Sequence, residues 1–271
     1  MTAFIANARM YAVAPQAEAA WSELIGCVAN DAGVALEYLP HPAPRPLEDL
    51  WTRSDLGAVQ MCGYPIAMRL SDIVPIAAPI PAIAWAQGRA VYRTDLIVRT
   101  DSPFHTLADT FGKRAGWTVE HSHSGFNAFR HHLLRYRTNA RSVLYGEVVG
   151  HLITARRILD SVLAGDIDVG PLDAYWHMLL RKYRPELTEG LRVVESTDLS
   201  PMPAFVASRG LGADAVAGLR RAFQAARSRP WFTTLADALL IEGFAAVSVD
   251  DYAPTLAWDA RARDAHYPVP A

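Results

Sequence analysis

The sequence contains little cysteine and no long apolar run. Cys27 and Cys62 are the two cysteines in 271 residues, and they form no CxxC pair, which excludes cysteine zinc fingers and redox dithiols but leaves a single disulfide open. No window reaches eighteen consecutive apolar residues, so we expect no membrane insertion. The first residues lack the basic region and apolar stretch of a signal peptide. We therefore expect a cytoplasmic protein, or a periplasmic one if a leader has been removed.

The chain also lacks an excess of charge of either sign. It has 26 basic and 28 acidic residues and a formal net charge of -2. This balance gives no reason to expect nucleic acid or an anionic membrane as a partner. Hydrophobic residues make up 51% of the chain and charged residues 20%, which predicts a packed core rather than disorder. We expect no cofactor.

Short apolar runs alternate with helical periodicity along nearly the whole chain. The runs LGAVQM, DLIVRT and LRVVEST are typical of strands, whereas FNAFRHHLLRY and DAYWHMLLRKY are typical of helices. This alternation predicts an α/β fold with mostly parallel central sheets flanked by helices. The run IVPIAAPI contains two prolines and predicts an edge strand or a twisted exit from the sheet.

Two segments look like crossings between lobes, one at residues 88–95 and the other at residues 197–205. They predict a discontinuous lobe I of residues 1–93 plus 200–271 and a lobe II of residues 94–199. A chain that leaves one lobe, builds a second and returns puts a ligand cleft between them.

Several candidate ligand-binding residues lie at junctions where a predicted strand is followed by a helix. In open α/β sheets ligands bind beyond the carboxyl ends of the strands, and helix N-termini attract anions. The stretch Ser122–Gly125 can form an anion cradle because glycine lets the backbone approach a ligand. The candidate ligand-binding residues are Met10, Tyr11, Cys62, Gly63, Tyr64, Ser122, Ser124, Gly125, His151 and Asp173.

Other chemistry at these positions is less well supported by the pattern. His121 and His123 share a face at a strand end, yet Glu120 is the one nearby carboxylate that could join them, so we expect no metal. Ser124 lacks the flanking glycine of a nucleophile elbow. Cys62 has two interpretations, a small buried hydrophobe or a thiol activated at a helix N-terminus.

The chain contains seven motifs in order, which are MY near the start, QMCGYP at 60–65, YRTDLIV at 92–98, SHSG at 122–125, GH at 150–151, GDIDVGPLD at 165–173 and SPMP at 200–203. Together they resemble the phosphate/phosphonate-type solute-binding proteins of ABC transporters, a branch of the type 2 periplasmic binding fold. The resemblance spans about residues 4–245. The subgroup it is most similar to has no signal peptide.

The resemblance implies two α/β lobes joined by a two-strand hinge and closing on a ligand. It also implies that Tyr64, the Ser122–Gly125 loop, His151 and Asp173 contact a phosphonate. The function implied is the binding of a small anionic or zwitterionic solute, either a phosphonate, a phosphate ester or a carboxylate. The partner would be an ABC transporter permease, or an unknown cytosolic protein if the chain is a sensor.

An enzyme on the same fold is the alternative. Cytosolic relatives of binding proteins can make thiamine precursors or cleave carbon–sulfur bonds, and Cys62 with His151 would then be the catalytic candidates. The cysteine-rich run expected of the thiamine-precursor enzymes is absent.

Overall fold

The computed structural model describes residues Ala3–Ala271. The chain divides into two compact units. Unit 1 contains the chain up to Tyr92 together with Pro201–Ala253, and unit 2 contains Arg93–Ser200 together with Pro254–Ala271. Within the described residues, every helix is too short or too polar to span a bilayer.

The elements alternate along the chain as strands and helices. The strands are β1 Phe4–Asn7, β2 Leu36–Tyr38, β3 Leu56–Met61, β4 Ile73–Pro81, β5 Val91–Tyr92, β6 Thr94–Arg99, β7 Arg114–Gly116, β8 Glu147–Val149, β9 Gly170–Asp173, β10 Leu191–Ser196, β11 Ser200–Pro201, β12 Ala204–Ser208 and β13 Ile241–Ala246. The α-helices are α1 Pro15–Ala32, α2 Glu48–Trp51, α3 Gly63–Ala67, α4 Ala128–Leu133, α5 Ala155–Ala164, α6 Ala174–Tyr183, α7 Ala213–Ala225, α8 Phe232–Leu239 and α9 Ala253–Asp264.

The predicted α/β class, with central sheets and flanking helices, is confirmed, but the sheets are mixed rather than mostly parallel. In unit 1 the strand order is β13-β4-β12-β3-β1-β2. Strand β1 is parallel to β2 and β3, whereas β12 is antiparallel to β3 and β4, and β13 to β4. In unit 2, β6 is antiparallel to β9 and β10, and β7 is parallel to β8. Strand β12 returns from unit 2 rather than through a helix from β3 or β4, so nothing forces it parallel to them. Strand β13 follows β12 through α7 and α8 and therefore runs in the same direction as β12.

Strand β4 lies between two neighbours rather than at the edge predicted from its prolines. Its first half pairs with β12, Pro75 lying opposite Val206, and its second half pairs with β13, Pro79 lying opposite Phe244. Each proline therefore has a paired strand on one side only, and its missing N–H breaks no second ladder. At Pro75 and again at Pro79, the interior strand β4 is paired on one side only, as an edge strand would be.

The core of unit 1 forms where α1 packs on the sheet. Pro15 begins α1 and Gly33 ends it with a φ of 66°, as expected for proline in the first turn and glycine at the C-cap. Trp21 from the buried face of α1 meets Phe205 edge-on at 5.7 Å between ring centroids, and Phe205 stacks on Phe223 at 5.0 Å.

The C-terminal segment differs from its predicted place. Residues 254–271 belong to unit 2, so the chain passes between the units three times rather than through two hinge strands. Tyr267 is buried in the core cluster of unit 2 with Phe129 and Val169, and the amide of Leu144 donates to the carbonyl of Ala271 at 3.1 Å. The sequence gives little sign of this because the buried positions of α9 are Thr255, Asp259 and Ala262, which form no apolar stripe.

Candidate functional site

The Ser122–Gly125 loop of unit 2 joins the end of β7 to the helix that continues as α4. It opens a π-helical turn, His123–Asn127, before α4 begins, and such turns are frequent at functional sites. The Ser122 hydroxyl caps the turn by accepting from the Gly125 amide at 3.0 Å, and the Ser122 carbonyl accepts from the Asn127 amide at 3.0 Å. In this bond the Ser122 hydroxyl acts as acceptor and its own hydrogen is not used, whereas the Gly125 amide hydrogen is.

Glycine at position 125 is required by close approach of the preceding strand. A Cβ there would lie 2.1 Å from Thr118 Oγ1 and 2.9 Å from Ser122 Oγ. The Thr118 amide donates to the Gly125 carbonyl at 3.1 Å, so the strand end and the loop are tied together. The loop is therefore held in one conformation by a contact that only glycine permits.

Thr94, which was not among the predicted site residues, fixes the other side of this loop. Its hydroxyl donates to the Ser124 carbonyl at 3.1 Å. Thr94 lies in β6, thirty residues before Ser124, and it is buried. The signal that could have revealed it is a polar residue that begins a strand with an apolar centre, residues 96–98.

His151 does not begin a helix, contrary to the sequence prediction. Helix α5 begins at Ala155, where the Thr154 hydroxyl caps it by accepting from the Arg157 amide. His151 instead lies in an exposed turn with a φ of 56°, and Ile153 has a φ of 64°. Left-handed φ is unfavourable for a β-branched residue and often occurs at functional sites.

The His151 side chain is 68% exposed and lies beside unit 2's own aromatic and acidic groups. Its ring centroid is 4.8 Å from that of Trp117, and its Nε2 is 3.4 Å from Glu120 Oε1. Gly150 lies directly on the Trp117 indole, because a Cβ at Gly150 would be 2.3 Å from Trp117 Cζ2. His151 therefore lies on the Trp117 indole, at the same end of β7 as the Ser122–Gly125 loop.

Asp173 caps α6, as its sequence position predicted. Its Oδ1 accepts from the Tyr175 amide at 2.9 Å and from the Trp176 amide at 3.0 Å. Asp173 pairs with Thr94 across β9 and β6, and Thr94 in turn holds Ser124. Two of the predicted ligand residues thus lie on either side of the same threonine.

The unit 1 candidates are mostly buried. Cys62 precedes the short helix α3 and is 5% exposed, with its Sγ 4.0 Å from the Tyr92 hydroxyl. Gly63 packs on Tyr252, since a Cβ there would lie 2.5 Å from the Tyr252 ring. Tyr64 follows within α3 and is also buried. This arrangement agrees with the interpretation of Cys62 as a small buried side chain.

Met10 and Tyr11 form a short 3-10 turn after β1. Tyr11 is buried and Met10 is partly exposed.

Cys27 and Cys62 are both free thiols, so the two cysteines do not form the disulfide that the sequence left open.

Burial lowers the pKa values of His123, His131 and His132, three histidines of the segment 121–132. Burial, with a smaller contribution from neighbouring His131, lowers the pKa of His123 to about 3. Burial and the nearby Arg261 lower the pKa of His131 to about 4. Burial lowers the pKa of His132 although Glu195 opposes this, its Oε1 being 2.8 Å from His132 Nε2. Among residues 3–271, no group of three or more His, Cys, Asp or Glu side chains is placed to hold a metal ion.

Each unit therefore brings together its own part of the predicted set. Unit 2 gathers Ser122, Ser124, Gly125, His151 and Asp173 around the ends of β7 and β9. Unit 1 gathers Cys62, Gly63 and Tyr64 at the end of β3. That the two groups face one ligand stays a prediction.

Comparison with known proteins gives a family match and similar folds. A family model described as the periplasmic substrate-binding protein of phosphonate ABC transporters matches residues 16–252. No curated protein matches the chain by sequence.

Three solved structures illustrate the similarity in fold. One is a binding-protein component of an ABC phosphonate transporter from Pseudomonas aeruginosa, with a TM-score of 0.79, 14% identity and coverage of 98% of this chain and 88% of that one. Another is a protein from Prochlorococcus marinus in complex with methylphosphonate, with a TM-score of 0.77, 14% identity and 98% coverage of both chains. A protein from Xanthomonas citri bound to ATP has a TM-score of 0.66, 18% identity and 98% coverage of both chains. At these identities the structures show the fold alone.

Proposed function

Because the chain belongs to the family of phosphonate ABC transporter periplasmic substrate-binding proteins, we propose that it binds a small phosphonate, phosphate ester or carboxylate. The observation that carries this proposal is the Ser122–Gly125 loop, in which a capping serine keeps a hydroxyl hydrogen for an oxyanion. The protein from Prochlorococcus marinus, similar in fold, was solved with methylphosphonate, which makes that compound the first probe.

In this proposal each site residue of unit 2 contacts a different group of the ligand. The Ser122 and Ser124 hydroxyls donate to the oxyanion. The exposed His151 ring adds a donor and, when protonated, a positive charge. Asp173 recognises a donor group on the ligand, such as an ammonium or an acid hydroxyl, while its Oδ1 continues to cap α6. The contacts that we propose for unit 1 with the ligand come from Met10, Tyr11, Cys62, Gly63 and Tyr64.

A transporter role follows from family membership. We propose that the partner is an ABC transporter permease, reached in the periplasm where the family is found. A cytoplasmic sensor is the competing assignment, and cell fractionation of the native protein distinguishes the two. Recovery in the periplasmic fraction supports the transporter role, whereas recovery in the cytoplasm supports a sensor.

The enzyme alternative receives no support from the local geometry of its two candidates. Cys62 is buried beside Tyr92 in unit 1. His151 is exposed in unit 2 beside Glu120 and Trp117. An enzyme would need a base within hydrogen-bond reach of its nucleophile, and the burial of Cys62 favours its interpretation as a small apolar side chain.

The first experiment measures thermal stability with methylphosphonate, inorganic phosphate, a phosphate monoester and acetate. A ligand at 100 times its Kd adds about 2.7 kcal/mol of stability. Calorimetric titration then compares Ser122→Ala and His151→Ala with two exposed controls, Ser228→Ala in unit 1 and His105→Ala in unit 2. We expect the site variants to weaken binding about tenfold or more and the controls to leave it unchanged.

Two outcomes would count against the proposal. Absence of binding to every member of the panel removes the anionic-ligand assignment. Recovery of a converted product, with conversion abolished by Cys62→Ala, would instead support the enzyme.

A further inference from the structure

His123 connects the Ser122–Gly125 loop to the C-terminal helix α9. It stands between the two loop serines, yet its ring is turned into the interior and is 1% exposed. The ring centroid lies 5.2 Å from that of Trp258 in α9, at an interplanar angle of 32°. A side chain from the middle of the proposed anion cradle thus packs on a helix more than 130 residues later in the chain.

Asn127 makes the same connection through hydrogen bonds. Its Nδ2 donates to the Thr255 carbonyl at 2.8 Å and lies 3.2 Å from His123 Nδ1. Since a carbonyl can only accept, the Asn127 nitrogen is the atom that faces Thr255, and its second hydrogen is available to the imidazole. His123 Nδ1 is therefore the acceptor, and the neutral ring carries its proton on Nε2.

Helix α9 is fixed against α4 by buried charges. Arg130 donates through Nη2 to Asp259 Oδ1 and through Nη1 to the Pro268 carbonyl at 3.0 Å. The side chains of Arg130 and Asp259 are 5% and 10% exposed, respectively. Asp259 also pairs with Arg263 at 2.8 Å. His131, one position after Arg130, stacks on Trp258 with ring centroids 4.6 Å apart and planes 8° from parallel. Trp258 thereby contacts rings on both sides of the first turn of α4.

The loop is thus held from two directions. Thr94 holds the Ser124 carbonyl from β6, and α9 holds His123 and Asn127 from the opposite end of the sequence. The Ser122 carbonyl, which accepts from the Asn127 amide, transmits that constraint to the serine whose hydroxyl faces the ligand in our proposal.

We propose that α9 positions the Ser122–Gly125 loop, with Trp258 as the positioning residue that acts through His123. This inference rests on the proposed ligand role of the loop. It adds that the ligand-free loop is ordered by the C-terminal segment. Trp258 touches no ligand; it reduces the conformational freedom that the loop would otherwise lose when it binds.

The test replaces the Trp258 ring and measures amide exchange in the ligand-free protein. In Trp258→Ala we expect the Gly125 and Asn127 amides to exchange roughly tenfold faster or more, because local opening of the turn becomes easier. Trp258→Phe keeps an aromatic ring against His123 and should stay within about threefold of wild type. Trp258→Leu is a second truncation that keeps more bulk, should the alanine variant fail to fold.

Leu133→Ala is the matched control, since Leu133 is fully buried in α4 but belongs to the unit 2 core cluster. It should lower the melting temperature without selectively speeding exchange at Gly125 and Asn127. Exchange in Trp258→Ala that is unchanged, or raised equally throughout unit 2, would overturn the positioning role.

Titration with methylphosphonate supplies the second measurement. We expect Trp258→Ala to bind about tenfold more weakly and both Trp258→Phe and Leu133→Ala to stay within about threefold of wild type. Wild-type affinity in Trp258→Ala would refute the inference. If wild type binds no member of the panel, the proposed function fails, and the exchange measurement still decides whether α9 orders the loop.

Discussion

At the scale of single residues, two glycines in similar helical settings should respond oppositely to the same substitution. Gly125→Ala places a Cβ 2.1 Å from Thr118 Oγ1 and 2.8 Å from Thr118 Cγ2, so the loop or the strand end must shift. We expect a loss of about 1–3 kcal/mol in the free energy of unfolding, measured by urea denaturation. The double variant Gly125→Ala/Thr118→Ala removes the two clashing Thr118 atoms, leaves the Ser122 hydroxyl at 2.9 Å, and should recover part of this loss.

Gly26→Ala is the control for that experiment. Gly26 is exposed within α1, and a Cβ there meets nothing within 4 Å. We expect it to stabilise the protein by about 0.5–1 kcal/mol, because alanine favours the helix. Equal effects of the two substitutions would show that the contact with Thr118 carries no cost.

The buried His123 predicts a specific dependence of stability on pH. Burial lowers its pKa to about 3 in the folded protein, whereas it is about 6.5 in an unfolded chain. Between these values the unfolded chain binds the extra proton, so stability is lost as the pH falls below about 6.5. We expect His123→Gln to reduce the loss between pH 7 and pH 5 by about 2 kcal/mol relative to wild type, measured by urea denaturation at each pH. Identical pH slopes in both proteins would contradict the buried neutral state of His123.

At the scale of elements, the cap of α6 separates a structural role from a binding role. Asp173→Ala removes the acceptor for the Tyr175 and Trp176 amides and should cost about 1 kcal/mol of unfolding free energy. Asp173→Asn keeps a capping oxygen but removes the charge, so stability should change little while ligand affinity falls. Urea denaturation and calorimetric titration of both variants test this, and an Asp173→Asn variant that binds as wild type would leave Asp173 a cap alone.

Elements whose ends carry local signals could be predicted from the sequence. Pro15 and Gly33 bound α1, Gly165 ends α5 with a φ of 76°, and LGAVQM forms β3. Each of these depends on backbone preferences of the residue itself, so neighbours in sequence are sufficient. Strand direction is different: the antiparallel return of β12 depends on where the chain re-enters unit 1, and no residue within that strand encodes it.

The candidate site could be predicted only in its local parts. The Ser122 cap and the Asp173 cap follow from short-range hydrogen-bonding chemistry. The helix start predicted at His151 was wrong because it required the backbone to continue regularly from Gly150, whereas the chain turns through left-handed φ before Thr154 caps α5. Thr94 reaches the loop through tertiary packing, which sequence spacing does not reveal.

At the scale of the whole molecule, the buried pair of Arg130 and Asp259 joins residues 254–271 to the rest of unit 2. Asp259→Ala leaves the Arg130 guanidinium buried without its carboxylate. We expect a loss of about 3–5 kcal/mol in the free energy of unfolding, because a buried charge without its partner is costly. Urea denaturation followed by amide exchange should locate that loss in unit 2.

An exposed ion pair provides the comparison. Arg209 and Asp72 are 2.6 Å apart, with side chains 66% and 78% exposed. Asp72→Ala should change the unfolding free energy by no more than about 0.5 kcal/mol. A comparable loss in the two variants would mean that burial of Arg130 does not determine the effect.

The third passage of the chain between the units has a consequence for biosynthesis. A ribosome adds residues from the N-terminus at roughly 5–20 per second, and neither unit is a contiguous stretch of sequence. Strand β13 of unit 1 emerges only after every strand of unit 2, and α9 emerges after β13. Trp258 and Asp259 therefore emerge after every strand of both units, so the loop that we assign to ligand recognition acquires its native order only once α9 has been synthesised.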